Sequence, residues 1–259
     1  MPGPGDLWHL VVAFFAGLGG GAMNALAGGG TNLSFPALVW LGLPAIQANA
    51  TSAVALWPGS AAGAWGFRKE AEQARRWWFW LLVPSLIGGA VGAYLLIHTP
   101  PQFFKSLAPW LVIASSALIA AEPAITRRLD PKGHGHRSNT WRVVALAVQL
   151  LVAVYGGYFG AGLGILILTA LGFLGLSDIR QANALKNLFS LAIKGVAVIY
   201  FIIVAEVSWT PAVIMAVGAV IGGYAAARLG RKLAESTMRW VVTGIGVAVG
   251  IAMLVKLAD

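Results

Sequence analysis

The chain contains no cysteine, which excludes disulfides, thiol catalysis and thiolate metal sites. Acidic residues are scarce, nine Asp and Glu against 18 Lys and Arg. Charged residues of both signs make up only 10% of the sequence, where soluble domains carry roughly 25%. A soluble globule is excluded. There is no Gly-x4-Gly-Lys-Ser/Thr phosphate loop, so the chain does not itself hydrolyse nucleotide. Paired acids and a nucleophile–base pair, which a membrane enzyme would need, are missing from the apolar runs. Strict apolar–polar alternation is also missing, and the runs exceed the roughly 10 residues of an outer-membrane strand, which argues against a β-barrel. His134 and His136 form the only His-x-His pair. They have no further ligand nearby, so neither a metal nor any other cofactor is expected.

What is present is apolar: 58% of 259 residues, in runs that reach the ~20 residues needed to cross a bilayer. The first half carries apolar segments near 8–27, 31–43, 46–67, 77–97 and 103–121. The second half carries them near 141–160, 162–175, 181–205, 210–227 and 239–257. Segments 31–43 and 162–175 are short for a crossing and read as half-helices of broken or re-entrant hairpins. The expected fold is an all-α integral membrane protein with eight long spans and two short half-helices. Its units are a repeat over 1–121, a cytoplasmic linker over 122–139 and a second repeat over 140–259. The N-terminus, Met1 to Asp6, lacks a positive region, so the first run reads as a retained span.

The net charge of +9 gathers in short loops, as expected of cytoplasmic loops and not of a nucleic-acid binder. Arg68, Lys69, Arg75 and Arg76 form one cluster. Arg127, Arg128, Lys132, Arg137 and Arg142 flank the linker, and Arg228, Arg231, Lys232 and Arg239 precede the last span. The loop holding Glu206 has no cation and is expected outside. Tryptophans such as Trp8, Trp77, Trp78, Trp141, Trp209 and Trp240 lie near span ends, as interfacial anchors do.

The stretch Asn24-Ala-Leu-Ala-Gly28-Gly-Gly-Thr31, then Gln47-Ala-Asn49-Ala-Thr51-Ser52, interrupts this apolar background with glycines, amides and hydroxyls. Each glycine costs about 1 kcal/mol of helix propensity relative to alanine. Irregular backbone at membrane depth survives only where protein or a water-filled cavity satisfies it. A second copy runs through Gly160-Ala-Gly162-Leu-Gly164 to Gln181-Ala-Asn183-Ala. Gln-Ala-Asn-Ala recurs at an offset of 134, and at the same offset Ile87-Gly88-Gly89 meets Ile221-Gly222-Gly223. The chain is a tandem duplication. Its equivalent loops carry opposite charge signatures, which predicts an inverted repeat with Gly-rich broken helices at the repeat interface. Glycines four apart, Gly59/Gly63, Gly88/Gly92 and Gly218/Gly222, are read as close helix packing within the subunit.

Ionisable residues inside spans are expensive and are functional candidates by default. Here they are basic. Lys186 and Lys194 lie eight residues apart on one face of a helical segment, and Lys194 is too central to snorkel easily. Their first-repeat equivalents are Ser52 and Ser60. A cationic interior without acids suits a small anionic solute. Half-helix N-termini after Gly30 and Gly162 would turn backbone N–H groups toward it. The candidate substrate-binding set is Asn24, Gly28, Gly29, Gly30, Thr31, Asn49, Thr51, Ser52, Gly162, Gly164, Asn183, Lys186, Asn187 and Lys194, with no catalytic residue.

The Gly28-Gly29-Gly30, Pro36, Leu41-Gly-Leu, Ala48 and Thr51-Ser52 pattern, its weaker repeat at Gly160–Ala184 and the chain length resemble the TauE/SafE family of membrane transporters. The resemblance covers essentially the whole chain and departs at Leu163, which interrupts the second glycine run. It implies transport of sulfite, sulfoacetate or related sulfur-containing organic anions across the bacterial inner membrane. The leading expectation is therefore a secondary carrier working by alternating access, with a passive anion channel as the alternative. Its partners are the solute and the lipid bilayer, not nucleic acid. The oligomeric state, direction and coupling ion are left open.

Overall fold

A computed structural model describes residues 7–26, 28–66, 68–75, 78–128, 139–173, 176, 179–229 and 235–258. The described residues are helical with short connections and no strand. The first half holds α1 (Leu7–Leu26), α2 (Thr31–Trp40), α3 (Ala45–Gly66), α4 (Arg68–Gln73), α5 (Trp78–His98) and α6 (Pro101–Arg128). The second holds α7 (Asn139–Tyr158), α8 (Leu163–Phe173), α9 (Ile179–Val204), α10 (Trp209–Leu229) and α11 (Glu235–Ala258). Helix α6 continues through Pro123 to Arg128, past the expected start of the linker. His134, His136 and the basic stretch at 230–234 lie outside the described residues.

The solvent of this fold is lipid. Large apolar side chains face outward, among them Ile203 at 75% exposure and Phe79 and Leu151 at 69%. Asn32, Ser34, Thr51, Ser52, Ser116 and Gln149 are fully buried. That inversion of the soluble pattern is stable where the surroundings are hydrocarbon and polar groups must find partners inside. Five helices, α1, α5, α6, α9 and α10, contain stretches long and apolar enough to cross a membrane. Shorter apolar stretches occupy α7, α8 and α11 (Val143–Tyr158, Leu163–Gly172 and Thr243–Val255). Helix α3 has the length, 22 residues, but Gln47, Asn49, Thr51, Ser52 and Ser60 dilute its apolar character.

Two helices are short. Helix α2 has 10 residues and α8 has 11, about 15 Å each at 1.5 Å per residue and half the hydrocarbon thickness. Helix α1 stops at Gly28, whose φ of 74° is left-handed and whose N–H reaches the Met23 carbonyl at 3.0 Å. Helix α7 stops the same way at Gly160, with φ 72° and a bond to the Tyr155 carbonyl at 3.1 Å. Both are glycine caps that consume carbonyls left over at a helix end.

The halves are intertwined. Helix α1 packs on α10 as α7 packs on α5, and α3 on α10 as α9 on α5. The closest approaches use glycine: Gly17 faces the Met215 backbone, Gly21 that of Ala219, and Gly218 and Gly222 face Phe14 and Leu18. A methyl group at any of these four would overlap backbone across the contact. The register rises in step on both helices, so α1 and α10 run parallel. Gly88 against Leu150 and Gly92 against Val154 make α5 and α7 parallel too. Gly246 at Ser116 and Gly250 at Ile113 run in opposite register, so α6 and α11 are antiparallel. Helices α3 and α9 cross where the Trp57 indole N–H donates to the Leu191 carbonyl at 3.3 Å, 134 positions along the chain. Trp57 thus meets its own sequence counterpart.

Candidate functional site

The two glycine breaks meet at the centre. A Cβ on Gly28 would lie 2.9 Å from the Gly164 Cα, so only glycine lets the loops touch. Breaking two helices inside a bundle exposes carbonyls, and polar side chains cover them. Asn49 donates to the Tyr158 carbonyl at 2.9 Å, and the Tyr155 hydroxyl to the Ala161 carbonyl at 2.6 Å. On the other break, Asn24 Oδ1 accepts from the Gly30 N–H at 3.3 Å, and Asn24 Nδ2 donates to Ser60 Oγ at 3.2 Å.

Lys194 enters this centre from α9. Its side chain is 6% exposed and its Nζ donates to Asn24 Oδ1 at 3.4 Å. Lys186 is also buried. Both lysines line one cavity of about 20 Å³ with Asn24, Ser60, Asn187 and Ser190, closed off by Ala25, Gly28 and Gly59. In this arrangement it has room for a water or two. A second cavity of about 10 Å³ lies further along α9. Thr31, Asn49 and Lys194 supply its polar wall, and Leu56, Phe159, Ala197 and Phe201 its apolar one. Among the described residues no acid lines either cavity. Two cations with amide and hydroxyl donors can hold an oxyanion through charge-assisted hydrogen bonds. Among the described residues no cluster of three or more His, Asp or Glu could hold a metal.

The candidate residues divide. Asn24, Gly28, Lys186, Asn187 and Lys194 line the first cavity, and Thr31, Asn49 and Lys194 the second. The others line neither. Thr51 accepts from the Ser208 N–H at 3.1 Å and steadies the entry to α10. Ser52 is bonded to Ser34 at 2.5 Å and ties α2 to α3. Gly29 lies against Ile119, Gly30 against the Gly20 backbone and Gly162 against Leu118 and Ser115. Gly164 backs onto Gly28, and Asn183 is half-buried and is not among the residues lining either cavity. Ser190 belongs to the first cavity without having been singled out. It stands midway between Lys186 and Lys194 on the same helix face, so the spacing that joined the lysines also pointed to it.

A helical bundle with a lipid-facing apolar shell and a buried cationic centre is a multi-pass integral membrane protein. The family model for Sulfite exporter TauE/SafE matches residues 13–253, and the chain belongs to that family. It is a membrane transporter and not an enzyme, in agreement with the sequence reading. It is similar to a "Probable membrane transporter protein" of Haemophilus influenzae, 25% identical over 256 residues, covering 96% of this chain and 94% of the relative. It is also similar to "Probable membrane transporter protein ORF9" of Sinorhizobium sp, 25% identical over 249 residues, covering 95% and 90%. A third relative is "Probable membrane transporter protein YfcA" of Escherichia coli K12, 25% identical over 256 residues, covering 96% and 89%. No solved structure matches the chain significantly.

Proposed function

We propose that the protein is a secondary carrier of small sulfur-containing anions (sulfite, sulfoacetate or related organosulfonates) in the bacterial inner membrane. The observation that carries this reading is the pair of buried lysines, Lys186 and Lys194, in one cavity whose described lining residues include no acid. A lysine at a helix centre costs about 2.5–3.5 kcal/mol on insertion scales, and a bound anion offsets that cost. The family description supplies the sulfur chemistry; the cavity supplies the charge.

Transport proceeds by alternating access between two inverted repeats, 1–121 and 140–259, joined by the cytoplasmic segment 122–139. The helix directions support this reading. Helices α6 and α11 are sequence counterparts that run antiparallel, and α1 runs with α10 while its counterpart α7 runs with α5. The spans number eight with α3, α7 and α11 included, and α2 and α8 are half-helices. The test is flux in proteoliposomes over sulfite, sulfoacetate, taurine, isethionate and sulfate. Saturable, counter-gradient flux of a sulfur anion is expected. Passive, non-saturating flux would mean an anion channel, and no flux of any of the five would defeat the reading.

A further inference from the structure

We propose that Lys194 serves two anion subsites, one on each side of it along the membrane normal, so that a small oxyanion passes between them without leaving the lysine. This rests on the anion-carrier reading and adds a second subsite to it. The geometry is specific: among the described residues Lys194 is the one that lines both cavities. The first cavity draws on the N-terminal half of α9, from Lys186 to Lys194, and the second on its C-terminal half, from Lys194 to Phe201. Helix α9 contains a membrane-crossing stretch, Gln181–Val204, so its two halves approach opposite faces. Helix α3 repeats the order in reverse, with Ser60 beside the first cavity and Asn49 and Ala53 beside the second.

The subsites differ in chemistry. The first offers a second cation, Lys186, and a wall of amides and hydroxyls suited to a compact, highly charged oxyanion. The second offers a single cation, one hydroxyl and one amide against the apolar rings of Phe159 and Phe201. The contact between Lys194 and Asn24 is long at 3.4 Å, so a short swing of the side chain trades one cavity for the other at small loss.

The natural absence of cysteine makes the test direct. Ser190→Cys and Ala53→Cys place one thiol in each cavity, and Lys194→Cys places one between them. A membrane-impermeant methanethiosulfonate carrying a sulfonate is applied to one face at a time in oriented vesicles. Ser190→Cys should react from the face nearer the start of α9, Ala53→Cys from the other, and Lys194→Cys from both. Reaction of the two flanking variants from the same face, or of Lys194→Cys from one face only or neither, would overturn the proposal. The flanking variants retain Lys194 and decide the matter even where Lys194→Cys does not fold. Both should react several-fold faster with the anionic reagent than with a cationic one of similar size, and a preference at only one position defeats the shared role. Two-sided labelling without flux of any sulfur anion would instead sink the carrier reading and leave the paired cavities standing.

Discussion

Lys194 and Asn24 stand 170 residues apart in the chain, yet the ammonium of one donates to the side-chain oxygen of the other across the glycine break that ends α1. One contact therefore joins the buried charge of the second half to the capped backbone of the first. Asn24 also bonds Gly30 and Ser60, so the same side chain links the cavity to the start of α2 and to α3.

Replacing Lys194 with methionine should separate function from folding. A hydrogen bond to a charged group is worth about 1.5–3 kcal/mol, so anion affinity should fall roughly 10- to 100-fold and flux with it. Thermal stability without substrate should hold or rise, because an expensive buried cation is removed. Unchanged sulfite affinity and flux in a well-folded Lys194→Met protein would move the site to the Asn24 and Asn49 side.

Gly28→Ala and Gly42→Ala form a matched pair. Both glycines have positive φ, 74° and 93°, but a Cβ at Gly42 meets nothing within 4 Å while one at Gly28 runs into Gly164. Gly42→Ala should cost about 1–2 kcal/mol of backbone strain. Gly28→Ala should cost more and reduce flux as well, read by thermal unfolding and transport side by side. Equal losses in the two would show that the Gly28–Gly164 approach is not needed.

Asn32 accepts from Ser115 at 2.6 Å and donates to Ser116 at 3.3 Å, fastening α2 to α6 away from both cavities. Asn32→Ala removes two interhelical hydrogen bonds, while both serine hydroxyls keep the Val112 carbonyl as acceptor, and should cost about 1–2 kcal/mol. The apparent KM of the protein that remains folded should be that of the parent. A large KM change at unaltered stability would place Asn32 in the anion path.

Topology can be read with single cysteines. Ser208→Cys should react with an impermeant thiol reagent added outside whole cells, whereas Gln73→Cys and Ser236→Cys should react only after the membrane is opened. Outside labelling of all three, or of Gln73→Cys alone, would remove the inverted repeat.

Much of this was legible in the sequence because membrane physics limits the choices. Glycine runs and amides within apolar segments had to be breaks, and α1 and α7 do end on left-handed glycines. Lys194 stood out because a mid-span cation is costly wherever it lies. Ser52 and Thr51 were less readable. Their hydroxyls looked available to a ligand, but one is taken up by Ser34 and the other by the Ser208 backbone. Sequence position shows which groups can donate, not which neighbours claim them first. Gly29, Gly30 and Gly164 follow the same logic, since close packing and ligand access both call for a missing side chain. Helix α3 was readable as a helix from its length, but its polar residues kept it below the hydropathy of the other long spans.

The pairing of α1 with α10 also sets a timetable. The face formed by Gly17 and Gly21 packs against the helix that begins at Trp209, so during synthesis the first segment enters the bilayer long before its partner exists. At roughly 5–20 residues per second, that wait is about 10–40 s. For that interval the notch is filled by lipid or by whatever small-residue helix drifts past. Assembly of this protein is thus governed by its last third, and a ribosome stalled before α10 leaves a membrane intermediate with its tightest seam still open.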